Sequence, residues 1–449
     1  MPNFESEAHY LASLTPPSVA AGVGRRNFLK GAAGAGAALT LPGLLAACGG
    51  DDEGSSGGSG GAPTGTVSFG SNEAGGDVPQ MRRDALVAAY EKESGLKVAV
   101  NAVDHNTFQE NINNYLQGNP DDVFSWFAGY RMQFFAERGL IGDVSDVWPI
   151  DGVGEAFQKA STGSDGKQYF VPDSNYPWVV LYRKSFWDER GYTAPTTYDE
   201  MITLAQQMKT DGLNPFAFAD KQGWPAMGTF DILNMRINGY DYHVSLMAGE
   251  EAWDSTEVKN VFDQWRELLE YAQPDALGRD WEEAAQSLVA NKSGMYYLGL
   301  FAFEQFPEDE RDDVGFFNFP EIDSSIGADA IDAPIDGYCM AADPDNEDGA
   351  KDFLKFIPSK EAADTLSEAG YPLIWANSNA DLSSLQPIQQ EAAEFIAQQS
   401  SIAQFLDRDT RPDFASTVMI PSIQEFIKNP DDVEGLTKKI EEQKKSIFV

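Results

Sequence analysis

Thr66-Val67-Ser68-Phe69, followed by Gly70-Ser71-Asn72-Glu73-Ala74-Gly75-Gly76, is the stretch from which the architecture can be read. A short strand stops at a polar, glycine-rich turn. Residues 77–93 then read as a helix ending at Gly95, and 96–103 alternate as a second strand. Residues 107–116 read as a second helix, and 122–127 as a third strand followed by a helix to Arg138 and Gly139. Strand, helix, strand, helix, strand is the order of a parallel sheet with helical crossovers. In such open sheets ligands lie beyond the carboxyl ends of the strands, which points at Asn72, Glu73, Trp126 and Tyr130.

Downstream, Gly166-Lys167-Gln168-Tyr169-Phe170-Val171-Pro172 opens a different region, and Trp178-Val179-Val180-Leu181-Tyr182 reads as a buried strand. Residues 197–209 read as a helix started by a capping box of Thr197 and Glu200. Later helices are expected at 258–271, 281–291, 349–357, 360–369, 389–405 and 433–446, with no internal repeat.

Upstream, Arg25-Arg26-Asn27-Phe28-Leu29-Lys30 precedes an Ala/Gly-rich stretch that ends in Leu45-Ala46-Ala47-Cys48. The twin arginine resembles a Tat export signal, and Leu-Ala-Ala-Cys resembles a lipoprotein cleavage site. The apolar stretch is too short and too rich in glycine to span a membrane or form a stable core helix. The expectation is a signal peptide over 1–47, a lipid on Cys48, and a flexible Gly/Ser linker over 48–65. Such a chain is exported folded by Tat and anchored at the extracytoplasmic face of the cell membrane.

Of 449 residues, the leader and linker leave a body long enough for two lobes. With Cys48 assigned to lipid, Cys339 is alone, so no internal disulfide is expected. Three histidines, one of them in the leader, show no metal-ligand spacing, and no metal or cofactor is expected. The net charge of −39 argues against nucleic acid as a partner and is read as a solvated acidic surface. No Gly-Lys-Ser/Thr phosphate loop occurs, so any transport energy comes from a separate ATPase. Asp343-Pro344-Asp345-Asn346-Glu347-Asp348-Gly349 has its glycine one place off a calcium loop and reads better as a helix cap.

The order of several weak motifs is informative. Pro120-Asp121-Asp122-Val123-Phe124 and Glu137-Arg138-Gly139-Leu140-Ile141-Gly142-Asp143-Val144 are followed by the segment from Gly166 and by Leu181-Tyr182-Arg183-Lys184. Then come Gly191-Tyr192-Thr193-Ala194-Pro195-Thr196-Thr197-Tyr198-Asp199-Glu200, Ser293-Gly294-Met295-Tyr296-Tyr297-Leu298-Gly299 and Gly349-Ala350-Lys351-Asp352-Phe353-Leu354-Lys355-Phe356. Together they resemble the family 1 extracellular solute-binding proteins, the maltose-binding-protein-like lipoproteins of ABC transporters. The resemblance implies an α/β, two-lobed periplasmic-binding-protein (Venus-flytrap) fold, with hinge-connected lobes and an interlobe ligand cleft. Lobe 1 is expected over 66–174 and 327–372, and lobe 2 over 175–326 and 373–449. The implied function is binding of a sugar or oligosaccharide by a monomer. Hinge closure would deliver it to ABC permease transmembrane subunits, without enzymatic activity. Two departures, Tyr198 in place of a usual Trp and Leu300-Phe301 after Gly299, bear on which sugar is bound.

Sugar faces need aromatic rings and sugar hydroxyls need carboxylates or amides. Trp224, between Gly223 and Pro225 in a polar stretch, is the leading stacking candidate, with Trp126 beside it; Trp178 reads as core. The resemblance adds Asn175 and Tyr176 at the crossing between lobes, and Phe301 after Gly299. Glu73, Asp173, Asp336 and Asn72 are the hydroxyl candidates, with Tyr338 facing either ligand or core. Aromatic rings with carboxylates also suit a polyamine or other cationic solute on the same fold. A secreted glycosidase would need a carboxylate pair, which any acidic chain offers; the resemblance points away from it.

Overall fold

The computed structural model describes residues 64–74 and 77–448. The leader, Cys48 and nearly all of the linker lie outside them.

The first sheet has the order β2-β1-β3-β10-β4. It is built from β1 (Thr66–Ser71), β2 (Lys97–Ala102), β3 (Val123–Phe127), β4 (Val171–Asn175) and β10 (Ile335–Met340). As the sequence pattern predicts, β1 runs parallel to β2 and β3. The helices Asp77–Ser94 and His105–Gln117 supply the crossovers. β10 arrives from far down the chain and inserts antiparallel between β3 and β4. Both faces are filled. Phe69, Tyr90, Phe353 and Phe356 are buried in one core, and Phe108, Phe124, Trp126 and Phe135 in another.

The chain leaves β4 through Tyr176 and Pro177 and enters β5 (Trp178–Arg183), part of a second sheet of order β6-β7-β5-β8. Its other strands are β6 (Asn214–Phe216), β7 (Ser293–Gly299) and β8 (Val314–Phe317). A single large core packs against this sheet, with Trp253, Trp265, Phe230 and Phe262 fully buried. Each such ring contributes roughly 1.5–3 kcal/mol of burial, in a chain whose one described cysteine, Cys339, is free. The fold is thus α/β with two lobes. Ala330 packs against the second core, whereas Trp375 and Ala380 belong to the first.

One helix escapes a periodicity reading. Pro225–Asn238 is buried at every position from Pro225 to Arg236, so it has no polar face to generate a 3.6-residue alternation. Gly228 is where it meets its neighbours most closely: a Cβ there would lie 2.5 Å from the Trp178 ring. The helix expected over 389–405 ends at Ala397. Ser401–Ala403 instead forms β11, parallel to β9 (Ala330–Asp332), because that pairing supplies backbone partners that a serine-rich helix end lacks. The capping box of Thr197 and Glu200 is present, and Asn346 caps the helix Glu347–Phe356 by accepting from Gly349 N at 3.1 Å.

Candidate functional site

Where the chain passes between the sheets, charged and aromatic side chains converge. Asp336, the second residue of β10, lies opposite Phe127 of β3, and Ser174 of β4 flanks it on the other side. Arg408, from the short helix Leu406–Asp409, donates to Asp336 Oδ1 at 2.9 Å and to Tyr176 Oη at 3.3 Å. Its guanidinium lies 4.0 Å above the Phe127 ring. Arg408 is 8% exposed at the side chain, while Asp336 keeps 36%. Asp336 is therefore surrounded by protein yet reachable, as the floor of a cleft is. Burial raises its pKa, and Arg408 opposes that shift.

A second group gathers at the end of β1. Arg82 donates to Glu73 Oε1 at 2.9 Å, and Arg83 donates to the Glu73 carbonyl at 2.9 Å. The helix 77–94 thus fixes the turn after β1 through two consecutive arginines. Asp173 of β4 faces this pair. Burial pushes its carboxyl up to about 7, Arg82 pulls it down, and Glu73 and Asp336 push it further up. Glu304, from the second lobe, is also raised by burial and lies in the field of Arg82. Four carboxylates, Glu73, Asp173, Asp336 and Glu304, and three arginines, Arg82, Arg83 and Arg408, thus occupy one region, and the arginines offset much of the acidity that a polycationic ligand would need.

The second lobe contributes rings. Tyr176 meets Phe301 edge to face at 5.2 Å. Phe301 in turn meets Trp281 at 5.1 Å and Trp224 at 6.3 Å. Trp224 stands edge-on to Trp178 at 6.1 Å. Gly299 lets this wall form, because a Cβ there would lie 2.3 Å from Phe301. Tyr176, Trp224, Trp281 and Phe301 are each only partly buried, whereas Trp178 is core. Trp224 precedes Pro225, the first residue of the buried helix, so its ring is presented from a rigid support.

Of the residues singled out from sequence, Glu73, Asp173, Asp336, Tyr176, Trp224, Gly299 and Phe301 fall in this region. Asn72 sits at its edge, with its amide 3.4 Å from His105 Nδ1. Asn175 is buried at the crossing, its N–H donating to Ile374 O at 3.1 Å. Tyr338 packs on Phe69 at 5.7 Å and is 8% exposed, though it feels the charges of Asp173 and Glu73. One expectation needs correcting. Trp126 is 1% exposed, because β3 is flanked on both edges and all five of its residues are buried. Tyr130 starts the helix Tyr130–Ala136 just after Gly129, where a Cβ would lie 3.1 Å from the Arg408 carbonyl, and it lies in the field of Glu137, Arg411 and Arg138. Arg82, Arg408, Trp281 and Glu304 were not legible as site residues. Arg131, which bonds Asp407 at 2.9 Å and Gln109 at 2.6 Å, ties the first lobe to the turn carrying Arg408.

This geometry offers hydrogen-bond acceptors, fork-shaped donors and flat apolar faces, the needs of a polyhydroxylated ring. Among the described residues no group of three or more His, Cys, Asp or Glu is arranged to hold a metal ion.

Known proteins share this plan. A 26% identical stretch of 297 residues matches an uncharacterized ABC transporter extracellular-binding protein of Pyrococcus horikoshii, covering 63% of this chain and 66% of that one. A 27% identical stretch of 188 residues matches a probable sugar-binding periplasmic protein of Rhizobium meliloti, covering 40% and 44%. The chain therefore spans less than two thirds of the length of these curated relatives. Among solved structures, the bacterial solute receptor AcbH, described as exclusive for β-D-galactopyranose, superposes with a TM-score of 0.83 at 42% identity. That match covers 86% of this chain and 100% of AcbH. Residues 22–42 match the twin-arginine translocation pathway signal sequence, a segment outside the described residues. The profile of the bacterial extracellular solute-binding proteins matches residues 80–364, most of the body, and the chain belongs to that family.

Proposed function

We propose that this protein is the exported receptor of an ABC importer and that its cleft binds a pyranose sugar. The observation that carries the reading is the continuity of Tyr176 with both walls: its ring meets Phe301 and its hydroxyl meets Arg408. A ring stacked on Phe301 and Trp224 would present its hydroxyls to Asp336, Arg408, Asp173 and Glu73. The 42% identity to the galactose receptor AcbH makes D-galactose the first ligand to test. The two sheets act as lobes, hinged where the chain crosses at Tyr176–Pro177 and again before β10. Ligand contacts from both lobes favour the closed form, which docks on the permease, while a separate ATPase drives import. The protein works as a monomer, tethered by lipid on Cys48, and performs no chemistry on its ligand.

The test is a thermal-shift screen of the body from about Gly65 onward against D-galactose, other mono- and oligosaccharides, and polyamines. Ligand at 100 times its Kd adds about 2.7 kcal/mol to stability, a clear rise in midpoint. A screen in which no saccharide raises the midpoint overturns the reading.

A further inference from the structure

Behind the cleft, inside the second lobe, several polar atoms share an interior region without partners. Asp231 Oδ1, both carboxylate oxygens of Asp332, His243 Nε2 and Tyr297 Oη have no hydrogen-bond partner among the described residues. Asp231, Asp332 and His243 are completely buried, and Tyr297 is 8% exposed. Buried polar groups in native proteins are nearly always paired, so an unpaired cluster calls for an explanation.

The charges nearby do not neutralise it. Asp231 faces Asp332 of β9, Asp409 and Asp407 of the Leu406–Asp409 helix, and His243, whose Nε2 is 4.0 Å from Oδ1. Asp332 faces Asp409 and Arg236, and Tyr297 of β7 faces Asp332, Arg236 and Asp231. Arg236 spends its N–H groups on Phe319 O, Ala330 O and Asn318 Oδ1, not on either carboxylate. Burial lowers the His243 pKa to about 4, so the imidazole is neutral. Burial also lifts both carboxyls well above the ordinary range, Asp332 raising Asp231 further and Asp409 raising Asp332. The backbone brings them together: Asp332 of β9 pairs with Ala403 of β11, three residues before Leu406, whose N–H Asp231 accepts, and two buried like charges there do not both ionise.

The pair sits at the root of the ligand site. Asp231 Oδ2 accepts from Leu406 N at 2.7 Å, the first residue of the turn that carries Asp407 to Arg131 and Arg408 to Asp336. Asp409 Oδ2 accepts from Gln404 N at 2.8 Å, and Gln404 Oε1 accepts from Ile335 N, where β10 begins, at 3.1 Å. Between these bonds Phe405 is held at φ 117°, a conformation costly for a residue with a side chain. A cavity of about 30 Å³ beside Tyr297, Thr229 and Trp265 shares Phe218, Leu269 and Ala272 with a groove of about 760 Å³. The smaller one holds about one water.

We propose that Asp231 and Asp332 share one proton, and that this proton positions the Gln404–Asp409 turn and so keeps Arg408 in the cleft. When base removes the proton to solvent, the two carboxylates repel, Leu406 moves with Asp231, and ligand affinity falls. Only this last step rests on the sugar-binding reading.

The sign follows from linkage. The folded state holds a proton that the unfolded chain releases near the ordinary Asp range. Its stabilising effect is complete below that range and is lost as pH rises through the folded pair's own titration. The experiment compares wild type with Asp332→Asn, and with Asp231→Asn should the first fail to fold. Without ligand, the thermal midpoints should coincide in acid and diverge in base, with the variant higher; parallel curves overturn the shared proton. In wild type alone, the infrared band of a protonated carboxylic acid should persist after Asp173, at about 7, and Asp220, at about 8, have ionised. Loss of the band at that point overturns the shared proton whether or not either variant folds. With D-galactose, wild-type affinity should weaken about fivefold to tenfold in base while Asp332→Asn keeps its acid-side value. Diverging midpoints with identical affinity profiles would overturn the positioning role. Absence of galactose binding at every pH would count against the sugar assignment and leave the midpoint and infrared results to judge the proton.

Discussion

The two walls of the cleft are made of different materials. The first-lobe wall is ionic: Glu73, Arg82, Asp173 and Asp336, completed by Arg408. The second-lobe wall is aromatic: Trp224, Trp281 and Phe301, joined to the ionic side by Tyr176. The difference teaches a division of labour. Rings supply area that tolerates small changes in the ligand, while charge-assisted bonds demand hydroxyls at fixed places. On the proposed sugar-binding reading, selectivity belongs to the first wall and retention to the second.

The largest test of that contrast is Arg408→Ala. It removes the donor to Asp336 and Tyr176 and leaves a shielded carboxylate with one partner fewer. Ligand binding should weaken by about 2–3 kcal/mol, and discrimination among sugar epimers should narrow. Calorimetry with galactose and glucose measures both. Unchanged discrimination would place selectivity elsewhere. Next comes Trp224→Ala, which should cost about 1–3 kcal/mol of affinity for every sugar alike, with circular dichroism unchanged. An epimer-dependent loss would blur the two walls into one. The smallest effect is expected from Asp173→Asn. Burial holds the wild-type carboxyl at about 7. A sugar hydroxyl donates better to the ionised form, so wild-type affinity should rise modestly as pH climbs through neutrality. Without ligand the sign is opposite: the stability linked to the retained proton is lost over the same climb. The Asn variant should flatten both curves around neutrality, and a slope in affinity that persists there would assign it to Glu304, whose carboxyl burial also raises.

Much of the fold is written in local pattern. β1, β2 and β3 follow from alternation broken by glycine-rich turns, and the helices between them from apolar spacing. β10 does not, because its place between β3 and β4 rests on pairings between residues 160 or more positions apart, which no local signal records. The site divides the same way. Glu73 could be singled out because it follows the end of β1, and Asp173 and Asp336 because they lie close to the chain's passages between the sheets. Arg82 lies within a helix and reads as a solvated charge. Arg408 follows a segment whose helical reading ran too far, past β11. Trp126 misled for the opposite reason: it lies at a strand's end, but neighbours on both edges turn that end into core. Helix Pro225–Asn238 was invisible because burial on all sides erases amphipathicity.

On the proposed reading, that same helix constrains how the protein could come to bind a different ligand. With no solvent face and with Gly228 pressed against Trp178, it cannot slide or rotate without disturbing the whole second core. Trp224 therefore stands on a fixed pedestal. A descendant adapting to a bulkier ligand would have to exchange residues at the tip, or rework the loop bearing Phe301, rather than re-aim the helix. The lobe's capacity to innovate is confined to the few positions that its rigid interior leaves free.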